Sequence, residues 1–138
     1  MDKLISVATK SIILLKSKAL IIQRSSDAKI DPDIWEFVGG TLEFGESLKE
    51  CLRREIWEEI NIDVEIQELL YATTFIINEL RQAVILTYLC TTTSEQIALS
   101  SEHKNYMWAS KDQMKALLAK PIIQDLEENS VWERLRID

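Results

Sequence analysis

Residues that break or brace a chain are scarce: 138 positions hold only three glycines, two prolines, two cysteines and one histidine. No linker-like stretch, low-complexity tract or internal repeat interrupts them, so the expected organisation is a single domain, 1–138. Cys51 and Cys90 lie inside apolar or helical patterns at no metal-like spacing. They read as buried free thiols rather than a disulfide or a zinc site. No apolar run approaches the roughly 18 residues that mark a membrane span, and "MDKLISVATK" lacks the charged start and long apolar middle of a signal peptide. The expectation is a soluble, cytoplasmic protein with no membrane partner. Nor is there an excess of basic charge, since the formal net charge is -7. Without a Lys/Arg footprint, binding to a nucleic-acid backbone is not expected. A small polyphosphate stays within reach if a divalent cation bridges the two negative partners.

What is present is enough apolar residue, 46%, to build a core. "ISVATKSIILL" and "ALIIQRS", separated by "KSK", read as a hairpin or two adjacent strands. "SDAKIDPD" is a loop by composition, and "IWEFVGG" reads as a short strand ending in a glycine turn. A helix follows, with Ser47 as its cap, Glu50 completing a capping box, an apolar stripe of Leu48, Leu52, Ile56 and Ile60, and Asn61 as a left-handed end. "IDVEIQELLYATTFII" and "QAVILTYLCTT" are strand-like with a turn near "NEL", and "NYMWAS" is another short strand. "SKDQMKALLAK" and "PIIQDLEENSVWERLR" read as helices, the second opening at Pro121. This order predicts an α/β fold with helices packed on a mixed sheet.

Chemistry concentrates in "GGTLEFGESLKECLRREIWEEIN". A glutamate-rich helix is ordinarily a solvated face. Here Glu55, Glu58 and Glu59 fall at i, i+3 and i+4 and share one sector, where each like-charge pair costs about 0.2–0.5 kcal/mol. A hard cation such as Mg²⁺ or Mn²⁺ would relieve that repulsion, because such ions take carboxylate oxygens together with substrate phosphates. A turn at Gly39 and Gly40 would let backbone carbonyls approach the same ion. Arg54 is placed either to fix a neighbouring glutamate's rotamer or to make an ordinary exposed helix salt bridge.

From Gly40 to Ile62 the chain resembles the 23-residue Nudix box: Gly40, five residues, Glu46, seven residues, Arg54-Glu55, Ile56, one residue, Glu58-Glu59, one residue, then Asn61 and Ile62. Asn61 stands where the pattern has glycine. "WEFVGG" before the box and "EHKNYMWAS" after it extend the likeness. The resemblance implies a Nudix-type α/β/α sandwich with a mixed sheet. It also implies Mg²⁺- or Mn²⁺-dependent hydrolysis of a pyrophosphate bond in a nucleotide, and it is compatible with a homodimer. On the same ground Glu55, Glu58 and Glu59 become metal ligands or the base, with the Gly40 carbonyl as a further ligand. Glu46 and Arg54 support them. Glu55 and Glu102 are both candidate bases, Glu102 from a loop after the sheet where a merely solvated carboxylate is the alternative.

Specificity is less legible. Trp35, Tyr106 and Trp108 either stack on a base or belong to the core. His103 either contacts phosphate, moves a proton or sits exposed in a loop. Arg24 and Arg81 are candidate phosphate contacts. "IINELR" carries neither the proline of ADP-ribose members nor the tyrosine of dinucleotide members, which leaves a nucleoside triphosphate or modified nucleotide in a MutT-like reaction. The alternatives are an ADP-ribose or nucleotide-sugar pyrophosphatase and, from another class, a nucleotide sensor without catalysis. The intact glutamate set weighs against the sensor.

Overall fold

Alternation along the first two strands decides how the layers form. In the computed structural model, which describes residues 1–138, Ile12, Ala19 and Ile21 point into one core while Ile13, Leu20 and Ile22 point into another. Both faces of this central region are therefore buried, as the period of two along a strand requires when helices cover each side.

The strands are β1 (Leu4–Leu15), β2 (Lys18–Arg24), β3 (Trp35–Glu36), β4 (Val38–Thr41), β5 (Glu65–Asn78), β6 (Arg81–Thr91) and β7 (His103–Ala109). They form one mixed sheet in the order β3-β2-β1-β6-β5, with β4 also on β1 and β7 also on β2. β1 and β6 run parallel from Leu4↔Arg81 to Leu14↔Thr91, whereas every other pairing is antiparallel. The expected hairpin of β1 and β2 forms through Lys16 and Ser17, both left-handed at φ 49° and 64°. Its ladder is short, only Leu14↔Ala19 and Leu15↔Lys18. Further along, β4 takes over the same edge of β1, from Ser11↔Val38 to Ala8↔Thr41.

Helix α1 (Leu48–Ile60) covers one face. Ser47 and Glu50 make the reciprocal capping box, and Asn61 closes the helix at φ 57°, ψ 43° with its N–H on the carbonyls of Ile56 and Trp57. Asparagine thus fills the left-handed role of the expected glycine. Leu52, Ile56 and Ile60 are fully buried, and Leu48 packs at the margin of the same core. The opposite face is covered by α2 (Lys111–Leu117) and α3 (Lys120–Glu128), whose Met114 and Leu126 join Trp132 and Val131 in the second core. This is the α/β/α arrangement with a mixed sheet.

Three expectations need correction. Gly39 and Gly40 lie within β4, not in a turn, because β1 offers that segment a pairing edge. The last helix stops at Glu128. Ser130 turns left-handed at φ 53°, and a separate 3₁₀ turn at Trp132–Arg134 tucks Trp132 back into the core. Glu102 precedes the last strand rather than following the sheet. Both cysteines are free and buried, and burial pushes the Cys90 thiol up to about 12. No helix is long and apolar enough to cross a membrane.

Candidate active site

β4 and α1 make the centre of the site because they are packed together through side chains that leave no room between them. A Cβ at Gly40 would collide with the Glu55 carboxylate, and one at Gly39 would collide with the Thr9 carbonyl across the β1–β4 ladder. The Gly39 N–H donates to Glu59 Oε2 at 3.0 Å, anchoring the buried end of the acidic row to the sheet. Cys51 Sγ adds a weak contact to the Gly40 carbonyl at 3.7 Å.

Arg54 organises the other end. Its Nε and Nη2 reach both oxygens of Glu46 at 2.7 and 2.9 Å, while Nη1 lies 2.7 Å from Glu55 Oε1 and 3.3 Å from Glu58 Oε2. Nη2 also donates to the Thr41 carbonyl at 3.0 Å. The bidentate bond from Arg54, with the Glu43 N–H, holds Glu46 at about 2, and the same bonds raise the arginine further. One guanidinium thus orients three glutamates, which is more than an isolated surface salt bridge does.

The three glutamates of the shared face differ in burial. Glu58 keeps 57% of its side chain exposed, Glu55 16%, and Glu59 is buried. Burial is the main reason that Glu59 is pushed up to about 8; Glu36 and Glu55 raise it further, while Lys10 and the Gly39 N–H oppose them. Glu102 faces the row. Glu55, Glu58, Glu59 and Glu102 line a depression of about 300 Å³ together with Ser100 and Ser101. The loop bearing Glu102 is tied back by backbone bonds from Ser100 N to the Glu59 carbonyl and from Ser25 N to the Glu102 carbonyl.

This depression opens into a cleft of about 560 Å³ that also contains Lys10, Arg24, Glu36 and Gly40. Beyond Lys10 and Glu36 lies a smaller cavity of about 200 Å³ with Phe37, Tyr71, Phe75 and Asp125 in its walls. The acidic end therefore adjoins an apolar one. The carboxylates are hard oxygen donors left in excess over nearby cations, so the residues present suit a divalent metal. Glu55, Glu58, Glu59, Glu102 and the Gly40 carbonyl are the groups that would hold it.

Sequence reasoning missed Glu36 and Lys10. Glu36 sits between Trp35 and Phe37, buried, with Lys10 Nζ at 3.6 Å, Arg24 Nη1 at 3.3 Å and His103 Nε2 at 2.9 Å. Burial by itself would raise its pKa, yet Lys10, His103 and Arg24 outweigh it and hold the carboxyl at about 2. A lone carboxylate inside an apolar strand was the available signal.

Several candidate binding residues lie elsewhere. Trp35 is buried in the core on the α2/α3 side, and Trp108 packs at the edge of the α1-side core with Nε1 donating to the Glu95 carbonyl at 3.1 Å. Neither lines the cleft, because β3 and β7 flank central β2 and their aromatics fill the layers above and below it. Tyr106 is exposed on β7, and Arg81 lies at the start of β6 beside Leu4, Ile76 and Asn78, away from the carboxylates. His103 opens β7 with its side chain fully buried, so it is not an exposed loop residue, yet one of its ring nitrogens lies within 4.8 Å of carboxylate oxygens of Glu59 and Glu102. Arg24 does line the cleft.

Comparison with known proteins agrees with this geometry. The NUDIX domain model matches residues 6–128. A "MutT-like protein" of Streptomyces ambofaciens is 30% identical over 115 residues, covering 83% of this chain and 70% of that one. A dihydroneopterin triphosphate diphosphatase of Haemophilus influenzae is 30% identical over 108 residues, covering 68% of this chain and 66% of that one. The crystal structure of a MutT protein from Methanosarcina mazei Go1 superimposes with a TM-score of 0.84 over 96% of this chain and 98% of that one, at 23% identity, a likeness of fold. The family match, together with the glutamate row and its arginine clamp, places the chain in the NUDIX family as a MutT-like Nudix hydrolase, an enzyme of phosphorus-containing anhydrides.

Proposed function

We propose that this enzyme cleaves a pyrophosphate bond in a nucleoside triphosphate or a modified nucleotide, with Mg²⁺ or Mn²⁺ held by Glu58, Glu59, Glu102 and the Gly40 carbonyl. The observation that carries the reading is the junction of two unlike cavities: an acidic depression at Glu55–Glu102 and an apolar one at Phe37, Tyr71 and Phe75, connected past Lys10 and Glu36. A polyphosphate suits the first once its charge is neutralised, and a flat base suits the second. A relative named for a triphosphate substrate supports the same class.

A bound divalent ion supplies charge neutralisation and a water of lowered pKa. The chain supplies position and the proton acceptor. We assign the base to Glu55: Arg54 occupies its Oε1 at 2.7 Å, and its carboxylate lies against Gly40 at the mouth of the cleft. Arg54 holds that carboxylate in one rotamer, while Glu46 keeps Arg54 in place. Arg24 and Lys10 line the cleft as the cations available to phosphate oxygens.

The test is product analysis on a panel of nucleoside triphosphates, dihydroneopterin triphosphate, ADP-ribose and nucleotide sugars, with Mg²⁺, Mn²⁺ or chelator. The expected result is metal-dependent release of pyrophosphate or phosphate from one triphosphate class. Turnover confined to ADP-ribose or nucleotide sugars would overturn the assignment, and tight nucleotide binding with no turnover would turn the reading toward a sensor.

A further inference from the structure

The apolar cavity of about 200 Å³ holds one half-buried charge without a partner, the Asp125 carboxylate. The other charged residues of its wall are accounted for. Lys10 and Glu36 pair with each other at 3.6 Å, Lys10 also donates to the Phe37 carbonyl at 3.4 Å, and Asp31 is exposed on the loop before β3. Burial first, and then the charge of Glu128, raise the Asp125 carboxyl above its ordinary value, and neither a donor nor a cation opposes them.

The helix gains nothing from this residue. Asp125 is the sixth of the nine residues of α3, past the first turn where an acidic side chain would complement the helix dipole. Aspartate is a poor residue for a helix interior, and Glu128 three positions on is a like charge. Packing nevertheless fixes its direction. Ile122, three residues earlier on the same face, lines the cavity as well, while the neighbouring Leu126 is fully buried in the core. The Tyr71 phenol in the cavity wall senses the same carboxylate: burial raises it, Thr87 lowers it, and Asp125 raises it again.

A carboxylate offers two acceptors side by side and no donor. A guanine-type edge, a ring N–H next to an exocyclic amino group, offers two donors side by side and can make two parallel bonds to one carboxylate. Adenine and cytosine set a ring lone pair beside their amino group, and uracil flanks its N–H with carbonyls, so each turns at least one acceptor toward an acceptor. We infer that Asp125 is the specificity-determining residue of this pocket, accepting two hydrogen bonds from a base whose ring N–H adjoins an amino group, the edge shared by guanine and 2-amino-4-oxopteridines. The inference rests on the reading that the apolar cavity takes the base. Phe37 and Phe75 then contact the ring, and the polyphosphate extends past Lys10 and Glu36 toward the glutamate row. A base lacking either donor leaves a carboxylate oxygen unanswered in an apolar wall, which is the kind of mismatch that discriminates strongly.

The test compares kcat/KM for GTP, ITP, ATP, UTP and dihydroneopterin triphosphate with Mg²⁺ or Mn²⁺. ITP is GTP without the amino group, so it removes one bond and keeps the purine. GTP is expected to exceed ITP by at least about tenfold and ATP and UTP by about a hundredfold. The faster of GTP and the pteridine triphosphate identifies the ring. Asp125→Asn presents one acceptor and one donor, which suits the adenine edge, so the GTP/ATP ratio should fall by at least about a hundredfold, with part of the change a gain on ATP. A loss of packing alone would slow both substrates and leave that ratio in place. Equal kcat/KM for GTP and ITP in the wild type, or a wild-type GTP/ATP ratio in Asp125→Asn, would overturn the assignment and leave triphosphate hydrolysis standing. Turnover of no triphosphate would remove the underlying reading and the inference with it. The GTP/ITP comparison uses the wild-type chain, so misfolding of Asp125→Asn cannot obscure the result.

Discussion

Arg54 grips Glu46 with two bonds, Nε to Oε2 at 2.7 Å and Nη2 to Oε1 at 2.9 Å, and so joins the loop before α1 to its middle turn. The remaining nitrogen, Nη1, faces Glu55 and Glu58. Lysine has no planar fork and cannot serve both sides. Arg54→Lys should therefore lower kcat by about tenfold to a hundredfold, equivalent to roughly 1.4–2.7 kcal/mol of barrier, with melting temperature nearly unchanged. Glu46→Gln should do nearly the same, and the double variant should fall well short of the product of the two losses, since both remove one clamp. Fully multiplicative losses in steady-state kinetics would show that the two residues act separately.

Glu59 gives the metal-free protein a pH dependence. Its ordinary value is 4.5, and burial moves the folded-state value to about 8. Folding thus favours the protonated carboxyl: the associated stability is complete below 4.5 and is lost as pH rises toward about 8. The melting temperature of chelator-treated wild type should decline across that interval more steeply than that of Glu59→Gln. Added Mn²⁺ should stabilise the wild type most at the alkaline end, where the carboxylate is already free of its proton. Parallel melting curves for the two proteins would contradict the burial argument.

These effects divide along a line that the sequence itself draws. The capping box at Ser47 and Glu50, the stripe of Leu52, Ile56 and Ile60, and the left-handed Asn61 are set by neighbours within a few residues, and all were legible. The Nudix spacing made Glu55, Glu58 and Glu59 legible for the same reason. Glu36 and His103 meet across 67 positions only because β2 carries Ile22 opposite Glu36 and Arg24 opposite His103. No local pattern encodes that meeting. Trp35 and Trp108 resembled stacking platforms in the sequence, but burial of both sheet faces around β2 turned them into core.

The two glycines of β4 should fail differently. At Gly40 an added methyl meets the Glu55 carboxylate, the movable end of a side chain, so Gly40→Ala should displace that group and lower kcat by about tenfold or more while costing about 1 kcal/mol of stability or less. At Gly39 the same methyl meets the Thr9 carbonyl, which belongs to the β1–β4 ladder and cannot swing aside. Gly39→Ala should lower stability by about 2 kcal/mol or more. Thermal melts beside single-turnover rates separate the outcomes, and a Gly40→Ala enzyme of wild-type rate would remove Glu55 from its assigned place.

The two cavities should also separate in kinetics. Phe75 lines both the acidic cleft and the apolar pocket and is half-exposed, so its removal takes away contact area without opening the core. A base held equally in ground and transition states contributes uniform binding, so Phe75→Ala should raise KM by about tenfold and leave kcat close to wild type. Glu58 lies at the exposed end of the carboxylate row, the end proposed to take the polyphosphate and its cation. Glu58→Gln should lower kcat by at least about tenfold, a barrier increase near 1.4 kcal/mol, with the fold intact by circular dichroism. Steady-state kinetics on the best substrate of the panel would read both variants together. If Phe75→Ala instead lost turnover and Glu58→Gln lost only affinity, the base and the phosphates would have to exchange ends of the cleft.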